Sequence, residues 1–264
     1  MPKTKSQNIL SPLRYPGAKR RLAVFVTEVL KLNNLKPKLF VEPFAGSLSV
    51  SLQLLQGGHV EKIAIGEKDP LVASFWKVAF NQTNWLKNAI KEIPITLERW
   101  KYFRTNKFTT DRERALACLF LNRTSFSGIM AHSSGPIGGQ KQESEYKIDC
   151  RFNKEMLSKR LDRLAALKNK VVFIENKSWE ITLEKTSSLG YEKKEVFYYL
   201  DPPFYFKADK LYRHFFNDDD HQKLHDAIMR EKSPWLLSYD MAEAIVEKYT
   251  KNGALPSKIG FLYS

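Results

Sequence analysis

Cysteine is scarce in this chain. Cys118 and Cys150 are its only two in 264 residues, too few for a disulfide framework and in no metal-ligand spacing. Both read as reduced, cytosolic thiols, Cys118 within an apolar helical pattern. Histidine offers no zinc motif either. His221 and His225 lie four residues apart beside Asp218 to Asp220 and read as a surface helix face, so no metal is expected. No apolar run reaches membrane-spanning length, and Met1 to Ser11 lacks the apolar core of a signal peptide. A cytoplasmic protein with no membrane partner is therefore expected. The chain has neither a Walker-type phosphate loop nor a Gly-x-Ser-x-Gly elbow, which argues against nucleotide hydrolysis and serine-esterase chemistry. Internal repeats and low-complexity tracts are also missing. Acidic residues are in deficit, 29 against 43 basic ones, for a net charge of +14. That excess points to a polyanionic partner, most simply nucleic acid; a basic but functionally neutral surface is the alternative.

What is present is an alternation of short apolar runs and amphipathic stretches. Leu39-Phe40-Val41, Lys62 to Gly66, Val171 to Ile174, Val196 to Leu200 and Trp235 to Ser238 read as strands. Helices are expected over Ser49 to Leu55, Leu71 to Phe80, Arg112 to Leu121, Lys154 to Leu167, Asp218 to Glu231 and Met241 to Tyr249. Strands alternating with helices predict βαβ units and a mostly parallel sheet. From Trp85 to Lys170 the pattern turns helical, with a Gly- and Ser-rich loop over Ser125 to Ser144. An α/β fold is thus expected, with residues 1–84 and 171–264 forming the sheet domain and 85–170 a mainly helical insert. Lys258 to Tyr263 reads as the start of a last strand.

Five segments carry candidate chemistry. Asp201-Pro202-Pro203-Phe204 follows an apolar strand. The prolines cannot extend a ladder, and the first pushes Asp201 toward an extended conformation. An acceptor, a rigid turn and a flat ring at a strand's C-terminal end suit a planar substrate with an amino group on its rim. A strand stop followed by a buried Phe is the competing reading. Glu42-Pro43-Phe44-Ala45-Gly46-Ser47 links a strand to a helix N-terminus, where small residues admit a ligand to the backbone. Glu67, with Lys68 beside it, lies about twenty residues further on, where an acid can hold a ribose hydroxyl pair. Arg14-Tyr15-Pro16-Gly17-Ala18-Lys19 is a basic turn suited to a carboxylate or a phosphate, or else a solvated basic arm. Asn122-Arg123-Thr124-Ser125-Phe126-Ser127-Gly128 offers donors for bases and phosphates, or else a helix cap and loop.

These segments, in this order and over nearly the whole chain, resemble the Dam-type (alpha group) DNA adenine-N6 methyltransferases. The resemblance implies a class I methyltransferase-like, Rossmann-like sheet carrying an inserted target-recognition domain, with S-adenosyl-L-methionine as cofactor. It implies site-specific methylation of the adenine N6 amino group in double-stranded DNA, with the base flipped out of the helix. Carried over, Tyr15 and Lys19 would flank the methionine end of the cofactor. Glu42, Pro43, Phe44, Ala45, Gly46 and Ser47 would line its wall, and Glu67 with Lys68 would take the ribose side. Asp201 and the Pro202 carbonyl would accept the adenine amino hydrogens, with Pro203 in the same rigid turn and Phe204 stacking on the base. Arg14, Asn122, Arg123, Ser125 and Ser127 would contact DNA. A monomer in a bacterial or phage-type host cell, with a cognate restriction endonuclease as a further partner, fits the same resemblance. A catalytically inactive DNA-binding relative and an RNA methyltransferase are the alternatives. Two departures stand out: Leu48 occupies a position where many relatives carry a second glycine, and Phe204 stands where Tyr is commoner. The family's closing hairpin is expected to be incomplete, ending inside its first strand.

Overall fold

The computed structural model describes residues 11–14, 19–206 and 211–260. Among them are five strands and ten α-helices. The strands are β1 (Leu39–Glu42), β2 (Lys62–Gly66), β3 (Val171–Glu175), β4 (Val196–Leu200) and β5 (Trp235–Leu237). They form one sheet in the order β3-β2-β1-β4-β5, and every pairing is parallel. The chain runs outward from β1 to β3 and then returns to lay β4 on the other side of β1. The order therefore reverses between β1 and β4, and ligands of open α/β sheets bind outside the strand ends at such a point.

The two central strands are buried along their whole length, so they read as continuous apolar runs rather than alternating ones. Their side chains nevertheless alternate between two cores. Phe40, Ile63, Ile65, Phe197 and Tyr199 face one cluster, where the Phe40 and Phe197 rings stack at 5.7 Å. Leu39, Val41, Ala64, Tyr198 and Leu200 face the other.

The first core is roofed by α1 (Lys19–Leu32), α2 (Ser49–Gln56), α3 (Pro70–Asn81), α4 (Thr83–Glu92), α5 (Leu97–Thr105), α6 (Asp111–Thr124) and α7 (Lys154–Ala165). The second is covered by α8 (Trp179–Ser187), α9 (Asp218–Ile228) and α10 (Glu243–Thr250). The result is three layers. The expected insert lies within the β2-to-β3 crossover, and residue 85 falls inside α4. Its helices share the apolar cluster of α3 instead of building a separate one. Gly66 is where β2 meets α8 most closely: a Cβ there would lie 2.1 Å from Thr182 Oγ1.

Helix starts follow from local chemistry. Asp69 caps α3 by accepting the Leu71 N–H at 2.9 Å, with Pro70 as first helical residue. Thr110 and Glu113 form a capping box on α6, and Asn217 and Asp220 form one on α9. The cap of α9 is thus one residue before Asp218.

Three expectations need correction. The helix expected to end at Leu121 continues to Thr124, so Asn122, Arg123 and Thr124 are helical and buried. His221 and His225 are not a surface face: both are buried. They join Leu224 and Ile228 on the inner side of α9, with His221 Nδ1 2.7 Å from the Tyr239 hydroxyl and His225 edge-on to Tyr249. Lys258 to Gly260 form no strand; Ile259 packs its side chain on the first core without a ladder. Residues 261–263 of that expected strand lie outside the described residues. No helix among the described residues is long and apolar enough to cross a membrane.

Candidate active site

The C-terminal ends of β1, β2 and β4 open into one cleft, with a cavity volume of about 200 Å³. Its first wall is the turn leaving β1. Glu42 is buried and accepts both the N–H and the hydroxyl of Ser51, each at 2.7 Å, which ties the strand end to α2. Gly46 and Leu48 both take left-handed backbone, with φ of 45° and 53°. The turn is gripped from outside: Ala45 N–H donates to Gly66 O at 3.0 Å, and Trp76 Nε1 donates to Gly46 O at 2.9 Å. Leu48 thus adopts a backbone conformation that suits glycine. For a leucine this costs about 1–2 kcal/mol. Its side chain is wholly buried, and burial returns about 1.5–3 kcal/mol.

Glu67 stands at the floor, at the end of β2. Its Oε2 accepts the Gly46 N–H and its Oε1 the Asp69 N–H, both at 2.9 Å. Burial, and then the neighbouring Asp69 carboxylate, push its pKa up to about 7 against those two hydrogen bonds. A carboxylate offers about four lone-pair sites, so Glu67 still has capacity for a hydroxyl pair.

The opposite wall is the corner after β4. Asp201 Oδ1 accepts the Ser238 hydroxyl at 2.6 Å. Asp240 accepts the N–H groups of Tyr205 and Phe206 at 2.7 and 2.9 Å, which pins the chain just past the prolines. Asp201 and Pro203 line the cleft. Pro202 is buried, and Phe204 packs edge-on against Tyr212 at 5.9 Å.

A third contribution was not foreseen. Residues 211–216 cross toward the first wall: Arg213 Nη1 bonds Asp69 Oδ1 at 2.8 Å, and Phe216 meets Phe44 edge-on at 5.7 Å. The start of α8, at Ser178 to Glu180, lines the cleft as well. The signal available in the sequence was a basic residue inside an aromatic run, Tyr212-Arg213-His214-Phe215-Phe216, close after the proline corner.

Most expected site residues therefore meet. Glu42, Pro43, Phe44, Ala45, Gly46, Ser47, Glu67, Lys68, Asp201 and Pro203 all line the one cleft. Tyr15 and the side chain of Lys19 lie outside the described residues. The expected DNA contacts divide. Asn122 has no exposed surface. Its Oδ1 accepts the Arg14 N–H at 2.6 Å, and its Nδ2 donates to Arg14 O at 2.6 Å and Gly128 O at 3.0 Å. Arg123 is buried and donates from Nε to Pro12 O at 2.6 Å. Burial, with Arg160 and Arg14 nearby, pulls its pKa down to about 9. Ser125 is buried and accepts Trp100 Nε1 at 3.0 Å. These three residues hold the N-terminal segment and the loop in place and present no surface to DNA. Ser127 is exposed and Arg14 half-buried. Gly128 passes so close to Arg14 that a Cβ would sit 2.8 Å from its carbonyl oxygen. The same loop brings Gly128, Ile129 and Met130 to the cleft, and Arg104 braces it through the carbonyls of Met130, Ala131 and Ser134.

The cleft thus presents two carboxylates, Glu67 at the end of β2 and Asp201 after β4. No curated protein matches the chain. The model of the family described as D12 class N6 adenine-specific DNA methyltransferase matches residues 15–258, and the chain belongs to that family.

Proposed function

We propose a division of labour within this cleft for the family's reaction, the S-adenosylmethionine-dependent methylation of adenine N6 in DNA. The observation that carries it is the β2-β1-β4 order of the strands, which brings Glu67, at the end of β2, and Asp201, at the end of β4, to one cavity. The residues present fit the cofactor. Glu67 has acceptor capacity for ribose hydroxyls, Phe44 offers an apolar face, and the Gly46–Ser47 backbone is open to close approach. When bound, S-adenosylmethionine supplies an electrophilic methyl group.

Asp201 and the Pro202 carbonyl accept the two hydrogens of the adenine amino group. That pairing favours a more tetrahedral nitrogen, whose lone pair is then directed out of the ring. The base has to leave the duplex to reach this corner, as is typical of the family. The carbon–nitrogen bond would form as the donor's carbon–sulfur bond breaks to leave a neutral thioether, and the N6 proton would then pass by way of Asp201 to solvent, so alignment and electrostatics count for more than a strong base. Phe204 offers a ring beside the corner. Tyr15 and Lys19 serve the methionine end of the cofactor.

Residues 85–170 serve as the target-recognition region and 1–84 with 171–264 as the catalytic domain. Ser127 and Arg14 approach double-stranded DNA, and the net charge of +14 supports binding to phosphates. The protein acts as a monomer in the cytoplasm of a bacterial or phage-infected cell, alongside a restriction endonuclease of matching specificity. Incubation with methyl-labelled S-adenosylmethionine and adenine-unmethylated genomic DNA tests the assignment. Label is expected as N6-methyladenine with the native chain and is lost in Asp201→Ala. A variant that keeps near-native transfer refutes the role of Asp201.

A further inference from the structure

We infer that Ser238 is a positioning residue for methyl transfer: its hydroxyl, backed by that of Tyr199, sets the orientation of the Asp201 carboxylate. The inference rests on the reading of Asp201 as the acceptor of the adenine amino group. The geometry is a chain of three oxygens. Tyr199 Oη lies 3.2 Å from Ser238 Oγ, and Ser238 Oγ lies 2.6 Å from Asp201 Oδ1.

The direction of the chain follows from chemistry. A carboxylate only accepts, so the single Ser238 proton goes to Asp201. Ser238 Oγ then accepts from Tyr199, which is buried and whose pKa burial pushes up, so it keeps its proton. The 2.6 Å separation is that of a charge-assisted hydrogen bond. Ser238 also approaches Leu200 O, at 3.5 Å, too far to compete for the proton. Its own backbone is fixed, since its N–H donates to Leu200 O at 2.9 Å. Two strand ends are thus tied at the level of the reacting group. With one carboxylate oxygen held, rotation about the Asp201 side chain is arrested and the direction of the other oxygen is set. Ser238 touches neither reactant in this scheme and acts through Asp201.

Single-turnover methylation of adenine-unmethylated genomic DNA tests this, with cofactor affinity by calorimetry and DNA affinity by fluorescence anisotropy. Five variants are compared: Ser238→Ala, Ser238→Thr, Tyr199→Phe, Asp201→Ala and the double variant Tyr199→Phe with Ser238→Ala. Ser238→Ala is expected to slow transfer roughly 10- to 100-fold, the scale of a lost alignment, with both affinities within about twofold of native. Ser238→Thr, which keeps the hydroxyl, should restore most of the rate. Tyr199→Phe should slow transfer less and add nothing in the Ser238→Ala background. A native rate in Ser238→Ala beside a dead Asp201→Ala overturns the inference and leaves the reading of Asp201 standing. Equal losses of rate and of both affinities in Ser238→Ala and Ser238→Thr overturn it as well. Near-native transfer by Asp201→Ala removes the reading itself.

Discussion

The two βα corners at the cleft and the junction between α6 and the N-terminal segment use the same kinds of side chain in opposite ways. At the cleft, Glu67 and Asp201 each have hydrogen-bonded oxygens and still face the cavity. At the junction, Asn122, Arg123 and Ser125 turn inward and direct hydrogen bonds to Arg14, Gly128, Pro12 and Trp100, and Arg123 Nη2 is buried without a partner among the described residues. Both groups are polar residues at an element's end. The difference is what lies opposite. A parallel sheet leaves its strand ends open at the switch point, whereas an extra segment, Ser11 to Arg14, lies across the end of α6 and covers its polar groups.

The comparison is broken most directly at Asp201. Asp201→Ala should lower methyl transfer by about a thousandfold, the scale of removing a preorganised hydrogen-bonding group from a reacting centre, while cofactor affinity stays within about twofold. Labelled transfer and calorimetry measure both. A parallel fall in affinity would place Asp201 in cofactor binding instead.

Asn122 is the mirror experiment. Asn122→Ala removes three hydrogen bonds, one buried and two partly buried, and leaves the Arg14 and Gly128 backbone groups without those partners. A loss of roughly 3 kcal/mol in denaturant unfolding is expected, with DNA affinity of the folded variant unchanged. Unaltered stability and a weakened DNA affinity would return Asn122 to the DNA surface.

How much was legible in the sequence follows the same division. The five strands were legible because central parallel strands are unbroken apolar runs, and Glu67 and Asp201 because each ends one. Four helices, α1, α4, α5 and α8, fall outside the expected ones: α5 and α8 are only weakly amphipathic, whereas α1 and α4 do carry an amphipathic pattern. α4 buries only Thr83, Leu86 and Ile90, and α5 only Trp100 and Phe103. α8 mixes Ile181, Thr182 and Thr186 and leaves Ile181 exposed. The Arg213–Asp69 pair joins residues 144 positions apart, a contact that no local pattern encodes. The inward turn of His221 and His225 was equally invisible, because their partners Tyr239 and Tyr249 arrive from later segments.

Leu48 sharpens the comparison within the first wall. Leu48→Gly relieves the left-handed strain of about 1–2 kcal/mol but empties a wholly buried site, and leucine truncations in cores cost about 2–5 kcal/mol. A net loss of about 1–3 kcal/mol is therefore expected by thermal or denaturant unfolding, with cofactor affinity unchanged. A stabilised variant would show that backbone strain outweighs packing at this turn.

The smallest effect is a proton linkage at Glu67. Its pKa is raised to about 7 from an ordinary carboxylate value, so below pH 7 the neutral form dominates in the unliganded cleft. Ribose hydroxyls donating to Glu67 favour the charged form. Binding must then expel the proton, and cofactor affinity should fall as pH drops through 7, by up to about tenfold per unit. Calorimetry in buffers of differing ionisation enthalpy measures the released proton directly. Glu67→Gln cannot ionise, so its affinity should be lower above pH 7 and flat across the same range. Should the slope survive in Glu67→Gln, it belongs to the cofactor's own groups, and the carboxylate at the end of β2 is then a brace for the Gly46 turn, as Asn122 is for Arg14.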